Sequence, residues 1–153
     1  MAMDLDAVKV GFPQAVPMVS TLSLEFGDLD LQHAQMSMPD QKAYHNHVGG
    51  PHAGAMFTLA ESASGALVLA NFGDRLEDAT PLAVEATIRY LKLAMGPVTA
   101  TARMMRSGEE ILAELDSGGR PEFLVEIDLA TADGTVTGQM TIVWTLKPNK
   151  RSN

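Results

Sequence analysis

Ala53–Phe72 reads AGAMFTLAESASGALVLANF, twenty residues in which Glu61 supplies the one formal charge. Its apolar positions run around the whole circumference of a 3.6-residue helix, and Ala, Gly and Ser abound. A helix apolar on all sides belongs inside a protein. The pattern therefore predicts a central helix that starts at Ala53 or Gly54 and stops at Gly73, a residue suited to the left-handed conformation of a helix end. Small side chains let neighbouring elements come close, so a sheet wrapped around this helix is expected. The stretch is long enough to cross a bilayer at about 1.5 Å per residue. Thr58, Glu61, Ser62, Ser64 and two glycines dilute it, however, and amphipathic strands follow, so no membrane span is expected. An ionised carboxylate in such surroundings costs several kcal/mol unless it is paired, hydrated or neutralised. Keeping one implies a chemical use for it.

Outward from the helix, the elements are short. The loop directly before it is polar and flexible: His45-Asn46-His47-Val48-Gly49-Gly50-Pro51-His52. Residues 1–17, broken by Gly11, Pro13 and Pro17, support at most a short leading helix. Residues 18–26 lean towards strand, Gly27-Asp28 reads as a turn, and residues 31–38 as the hairpin partner, ended by Pro39-Asp40. Beyond the helix, Leu82, Val84, Ala86, Ile88 and Tyr90 alternate with Glu85, Thr87 and Arg89, predicting two faces of one strand. Gly96-Pro97 turns the chain and residues 98–105 alternate again. Ser107 with Glu110 forms a capping box for a short helix over 109–115, closed by Gly118-Gly119. Phe123, Val125, Ile127 and Leu129 share one strand face. After the Asp133-Gly134 hairpin signal, Val136, Met140, Ile142, Trp144 and Leu146 form the matching face of the last strand. Strands segregated from one helix mean an α+β fold with a mostly antiparallel sheet.

At 153 residues the chain is expected to be one domain over 1–153, with a lead segment at 1–17 and a flexible tail at 148–153. Its net charge of −8, without a basic run, argues against nucleic-acid or anionic-membrane partners. There is no cysteine, which excludes disulfides, thiol nucleophiles and thiolate metal sites and fits a reducing compartment. Asp4, Asp6 and Lys9 interrupt the start of the chain, so no signal peptide is read there and a cytoplasmic location is expected.

Polar loop, helix start and Glu61 make one chemical constellation. Unpaired N–H groups at a helix start, here Ala53 and Gly54, suit a developing oxyanion. Such donors are worth about 3–4 kcal/mol each to a transition state. Gly49, Gly50 and Gly54 let a substrate approach the backbone. Glu61 is placed to act as general base on water or as nucleophile, with partial burial raising its pKa.

The run from Asn46 through His47-Val48-Gly49-Gly50-Pro51-His52-Ala53-Gly54 to Leu59-Ala60-Glu61 resembles the loop-and-helix signature of hot-dog-fold thioesterases. It is most similar to the phenylacetate-pathway type and to an uncharacterised branch of that superfamily. Ile88-Arg89-Tyr90-Leu91 and Gly96-Pro97-Val98-Thr99-Ala100 are similar to the family's next two strands. The resemblance implies a hot-dog fold, an antiparallel sheet of about six strands around one long central helix. It also implies Glu61 as catalytic carboxylate, Ala53 and Gly54 amides polarising a thioester carbonyl, Asn46 positioning water or substrate, and His52 in support. Substrate contacts would come from His47, Gly49, Gly50, Thr58 and Arg89. The implied substrate is an acyl thioester of coenzyme A or a carrier protein, hydrolysed without metal or other cofactor. A homodimer or a dimer of dimers is implied, with the site between subunits. Ala53 departs from the family, which has glycine there.

The residues also support other readings. Glu61 would be structural if Ser or backbone groups satisfied it, and Asn46 may be read as a loop cap. His47 and Glu61 have the spacing of a hot-dog hydratase or dehydratase, although Ala53-Gly54 replaces that pattern's Pro-Gly. His45, His47 and His52 suggest a metal site, but no carboxylate stands near Pro51. Ten methionines would also suit a noncatalytic acyl-ligand binder.

Overall fold

The computed structural model describes residues 3–150, with α1 (Leu5–Ala15), α2 (Pro17–Thr21), β1 (Glu25–Leu29), β2 (His33–Met38), α3 (Ala53–Phe72), β3 (Ala79–Tyr90), β4 (Val98–Met104), α4 (Gly108–Asp116), β5 (Glu122–Thr131) and β6 (Val136–Pro148). The six strands form one antiparallel sheet in the order β1-β2-β4-β5-β6-β3, curled about α3. This is the expected α+β hot-dog architecture. Ala34, Ala100 and Ala102 line the sheet where it meets the alanine-rich helix, and all three are fully buried. Small residues on both sides permit that close approach. Larger side chains fill the remainder: Met36, Ile127, Leu129, Met140 and Ile142 are inaccessible to solvent or nearly so. Each buried side chain of this size contributes roughly 1.5–3 kcal/mol. The opposite sheet face is polar, and there Arg103 donates to Glu126 at 3.2 Å and to Asp128 at 3.0 Å.

Trp144 joins sheet to helix by a buried hydrogen bond, its indole Nε1 donating to Ser64 Oγ at 3.0 Å. Ser64 Oγ in turn donates to the Glu61 carbonyl at 2.6 Å. The turn of α3 that carries Glu61 is thus anchored from β6.

Several local expectations are corrected. Residues 18–26 are not one strand: Pro17 occupies the first turn of α2, where a missing N–H costs nothing, and β1 starts only at Glu25. The hairpin turn is not at Gly27-Asp28, which lie inside β1. It falls around Asp30, whose carboxylate accepts from Gln32 N and His33 N at 2.7 Å each. Gly73 is right-handed at φ −63, and α3 passes into a 3-10 turn at 73–75. A Cβ there would displace only the flexible end of the Met3 side chain. A bulge between Ala83 and Glu85 inserts Val84 as an extra residue in β3. Ala86 and Ile88 are half-buried opposite Ile142 and Met140, whereas Leu82, Ala83 and Val84 are exposed. The alternation read across all five positions breaks at that bulge. The expected tail is tied down as far as Asn149, whose Nδ2 donates to the Leu76 and Glu77 carbonyls at 2.9 and 3.0 Å. Residues 151–153 of that tail lie outside the described residues.

Candidate functional site

The loop before α3 is built around Asn46. Its Oδ1 accepts from Val48 N at 3.0 Å and Gly50 N at 3.2 Å, and its Nδ2 donates to the Pro51 carbonyl at 3.4 Å. The side chain is therefore spent on shaping the loop, the alternative already open in the sequence. Gly49 sits at φ 78, where a side chain would be strained. Gly50 is buried against the Ala94 carbonyl, with no room for a Cβ. The same position lies 3.1 Å from Met95 Sδ. The helix-entry loop and the β3–β4 loop consequently pack as one unit.

His52 caps α3, its Nδ1 accepting from Gly54 N at 2.9 Å. Of the two amides expected to be free, Gly54 N–H is occupied in this conformation. Ala53 N–H, at the first helical position, has no acceptor among the described residues. Tyr90 fixes the same turn from the end of β3, its hydroxyl donating to the Ala53 carbonyl at 2.8 Å. Sequence reasoning placed Tyr90 on a strand face and missed this role. Its register with Ala86 and Ile88 was the available signal.

Thr58 and Glu61 follow Gly54 on one helix face at i+4 and i+7. Thr58 Oγ1 donates to the Gly54 carbonyl at 3.0 Å. The Glu61 carboxylate is half-buried and has no hydrogen-bond or ionic partner among the described residues. Burial alone pushes its pKa above the ordinary glutamate value.

Along α3, Ala53 and Glu61 stand eight residues apart, about 12 Å of helix rise. The glutamate leans back towards the helix start but covers only part of that gap. One small reacting group cannot touch both within a single chain. The exposed edge bears on this. β3 ends the sheet with no neighbour on its outer side, and Leu82, Val84 and Tyr90 are exposed along it.

The remaining candidates lie apart. His47 is exposed, and His45 Nε2 pairs with Asp40 Oδ1 at 2.6 Å. Among the described residues no three His, Asp or Glu side chains meet in a way that could hold a metal. Arg89 is exposed on β3 opposite Gln139. A depression of about 900 Å³ lies at the far end of α3 beside Asn71, Arg103, Met104 and Arg106. Its cations are already neutralised: Arg75 by Asp78 and Asp116, Arg103 by Glu126 and Asp128, and Arg106 by Glu114.

A family model described as a domain of unknown function (DUF4442) matches residues 5–146. No curated protein matches the sequence. Among solved structures, a Pseudomonas aeruginosa protein of unknown function, described as a probable thioesterase, superimposes with a TM-score of 0.84 at 26% identity, covering 97% of this chain and 99% of that one. A mutant thioesterase from the same bacterium gives 0.76 at 23% identity, with 97% of each chain covered. A thioesterase family protein from Silicibacter pomeroyi gives 0.75 at 21%, covering 95% of this chain and 100% of that one. The last two likenesses establish the shared fold.

Proposed function

This chain belongs to the family described as a domain of unknown function (DUF4442), and from that premise we propose that it hydrolyses acyl thioesters. The observation that carries the proposal is Glu61: an unpartnered, half-buried carboxylate of raised pKa on the central helix of a fold shared with thioesterases. A carboxylate whose pKa is raised by burial is a stronger base than an exposed glutamate.

The helix geometry supports a site between two copies. Pairing of the open β3 edges would continue the sheet, cover Leu82 and Val84, and bring the central helices side by side. Glu61 of one copy would then meet the Ala53 N–H of the other. That amide polarises the thioester carbonyl and holds the oxyanion as it forms. In the base route Glu61 removes a proton from the attacking water, collapse of the tetrahedral intermediate breaks the C–S bond, and the departing thiolate takes up that proton. In the nucleophilic route the carboxylate attacks the carbonyl itself, and the thiolate leaves and is protonated by solvent water. A second water then hydrolyses the acyl–Glu61 anhydride to release the acid and restore the carboxylate. Asn46 and His52 hold the loop and helix start rather than reacting. The substrate is an acyl ester of coenzyme A or of a carrier protein, no cofactor is required, and the reaction is cytoplasmic.

A thiol-release screen over short, long and aromatic acyl-CoA esters tests this, with Glu61→Gln as control. Turnover by the parent and its loss in the variant are expected. Equal rates for the two proteins would refute the assignment.

A further inference from the structure

We infer that the depression between the β3–β4 loop and the β5–β6 hairpin seats a phosphate group of the thiol carrier, held by the Lys92 ammonium and the Thr137 hydroxyl. This rests on the thioester reading above and adds to it where the leaving group is held.

The depression measures about 390 Å³ and is lined by Lys92, Leu93, Met95, Asp133, Thr135 and Thr137 among others. Three observations single it out. First, among the described residues Lys92 has no carboxylate partner, unlike the three arginines of the larger depression. In a chain of net charge −8, a multiply charged anion needs such an uncommitted cation. Second, Thr137 is only 3% exposed, and its Oγ1 is the one buried side-chain polar atom without a partner among the described residues. Buried hydroxyls are normally satisfied, and one left open marks a missing partner. An anion drawn in by Lys92 would supply that acceptor. Third, the place is right. Lys92 follows by two residues Tyr90, which holds the first turn of α3 at Ala53. Met95 touches both the depression and Gly50 of the helix-entry loop.

Asp133, the acid of the depression, is held in the hairpin turn with its Oδ1 accepting from Thr131 Oγ1 at 2.8 Å and Thr135 N at 3.0 Å, and it keeps its negative charge, so Lys92 must bind the anion against it. The Leu91 and Lys92 amides both donate to the Thr137 carbonyl, at 2.8 and 3.1 Å, which clamps the lysine's backbone over the threonine.

Calorimetric titration of the full chain with pantetheine, phosphopantetheine and coenzyme A tests the assignment. Phosphopantetheine is expected to bind about tenfold more tightly than pantetheine, the scale of one charge-assisted contact. Lys92→Met should erase that preference, Lys92→Arg should retain most of it, and Thr137→Val should reduce it partly. An equal gain for phosphopantetheine and coenzyme A assigns the phosphate common to both carrier types. A gain for coenzyme A alone assigns its nucleotide phosphates. Binding by Lys92→Met that matches the parent for all three compounds overturns the inference. The two readings separate cleanly: thiol release untouched by Lys92→Met, with unchanged binding, removes the phosphate seat and leaves hydrolysis standing. A Lys92-dependent preference in a protein inert to every thioester removes hydrolysis and leaves the seat.

Discussion

Replacing Ala53 by proline isolates the oxyanion contact from everything else at the helix start. Ala53 is the first residue of α3, and its N–H bonds to nothing among the described residues. Proline at this position removes an N–H that the helix does not use and fits its φ. The preceding residue suits it too: His52 lies at φ −62, ψ 140, the extended region that a following proline demands. The fold should therefore tolerate Ala53→Pro with a stability change within about 1 kcal/mol, and reduced freedom of the unfolded chain favours a gain. Activity should not tolerate it. Loss of one oxyanion donor costs about 3–4 kcal/mol, or roughly 10²–10³ in kcat. The roughly 12 Å between Ala53 and Glu61 adds a second readout. If each site takes Glu61 from one copy and Ala53 from the other, mixing inactive Ala53→Pro with inactive Glu61→Gln gives heterodimers that each hold one native site. Random exchange makes half the dimers mixed, so about a quarter of parental activity should return. Thermal melts, kcat on the best ester from the screen, and activity after subunit exchange measure the three parts. A parental kcat in Ala53→Pro refutes the oxyanion assignment. Two stable, inactive variants that exchange subunits and recover nothing refute the shared site.

Glu61 carries a stability consequence of its own. Its folded pKa is raised by burial, so ionisation penalises the native state at neutral pH, and the penalty disappears as pH falls to the ordinary glutamate range. Glu61→Gln should melt higher than the parent at pH 7. Its advantage should shrink as pH falls through the window between the raised folded value and the unfolded one. An advantage that grows on acidification contradicts the assigned shift. The Trp144–Ser64 contact gives a further test, because Ser64→Ala strands a buried indole N–H. That should cost about 1–3 kcal/mol by chemical denaturation. Combining it with Trp144→Phe should reveal a coupling of about 1 kcal/mol, and strict additivity would show that the bond contributes nothing.

Residues 53–72 alone determined that this protein has an enclosed helix with one misplaced charge, because an all-round apolar pattern has no other stable solution in water. The alternation of Phe123 to Leu129 and of Met140 to Leu146 likewise determined which faces turn inward. Glu61 and the helix start were legible as chemistry from composition and spacing. Tertiary structure decided what spacing cannot express. Pro17, read as a break closing the lead segment, became the start of α2, and Val19 of the expected strand is buried in that helix instead. The bulge at Val84 divided a strand whose alternation looked continuous, so that Ala86 and Ile88 pack inward while Leu82 and Val84 stay exposed. Most consequentially, the folded loop took Asn46 for its own hydrogen bonds and gave Gly54 N–H to His52, so that of the two amides read as an oxyanion site only Ala53 N–H is free among the described residues. Hydrogen-bond partners are assigned by position in space, and a sequence lists donors and acceptors without saying which of them meet.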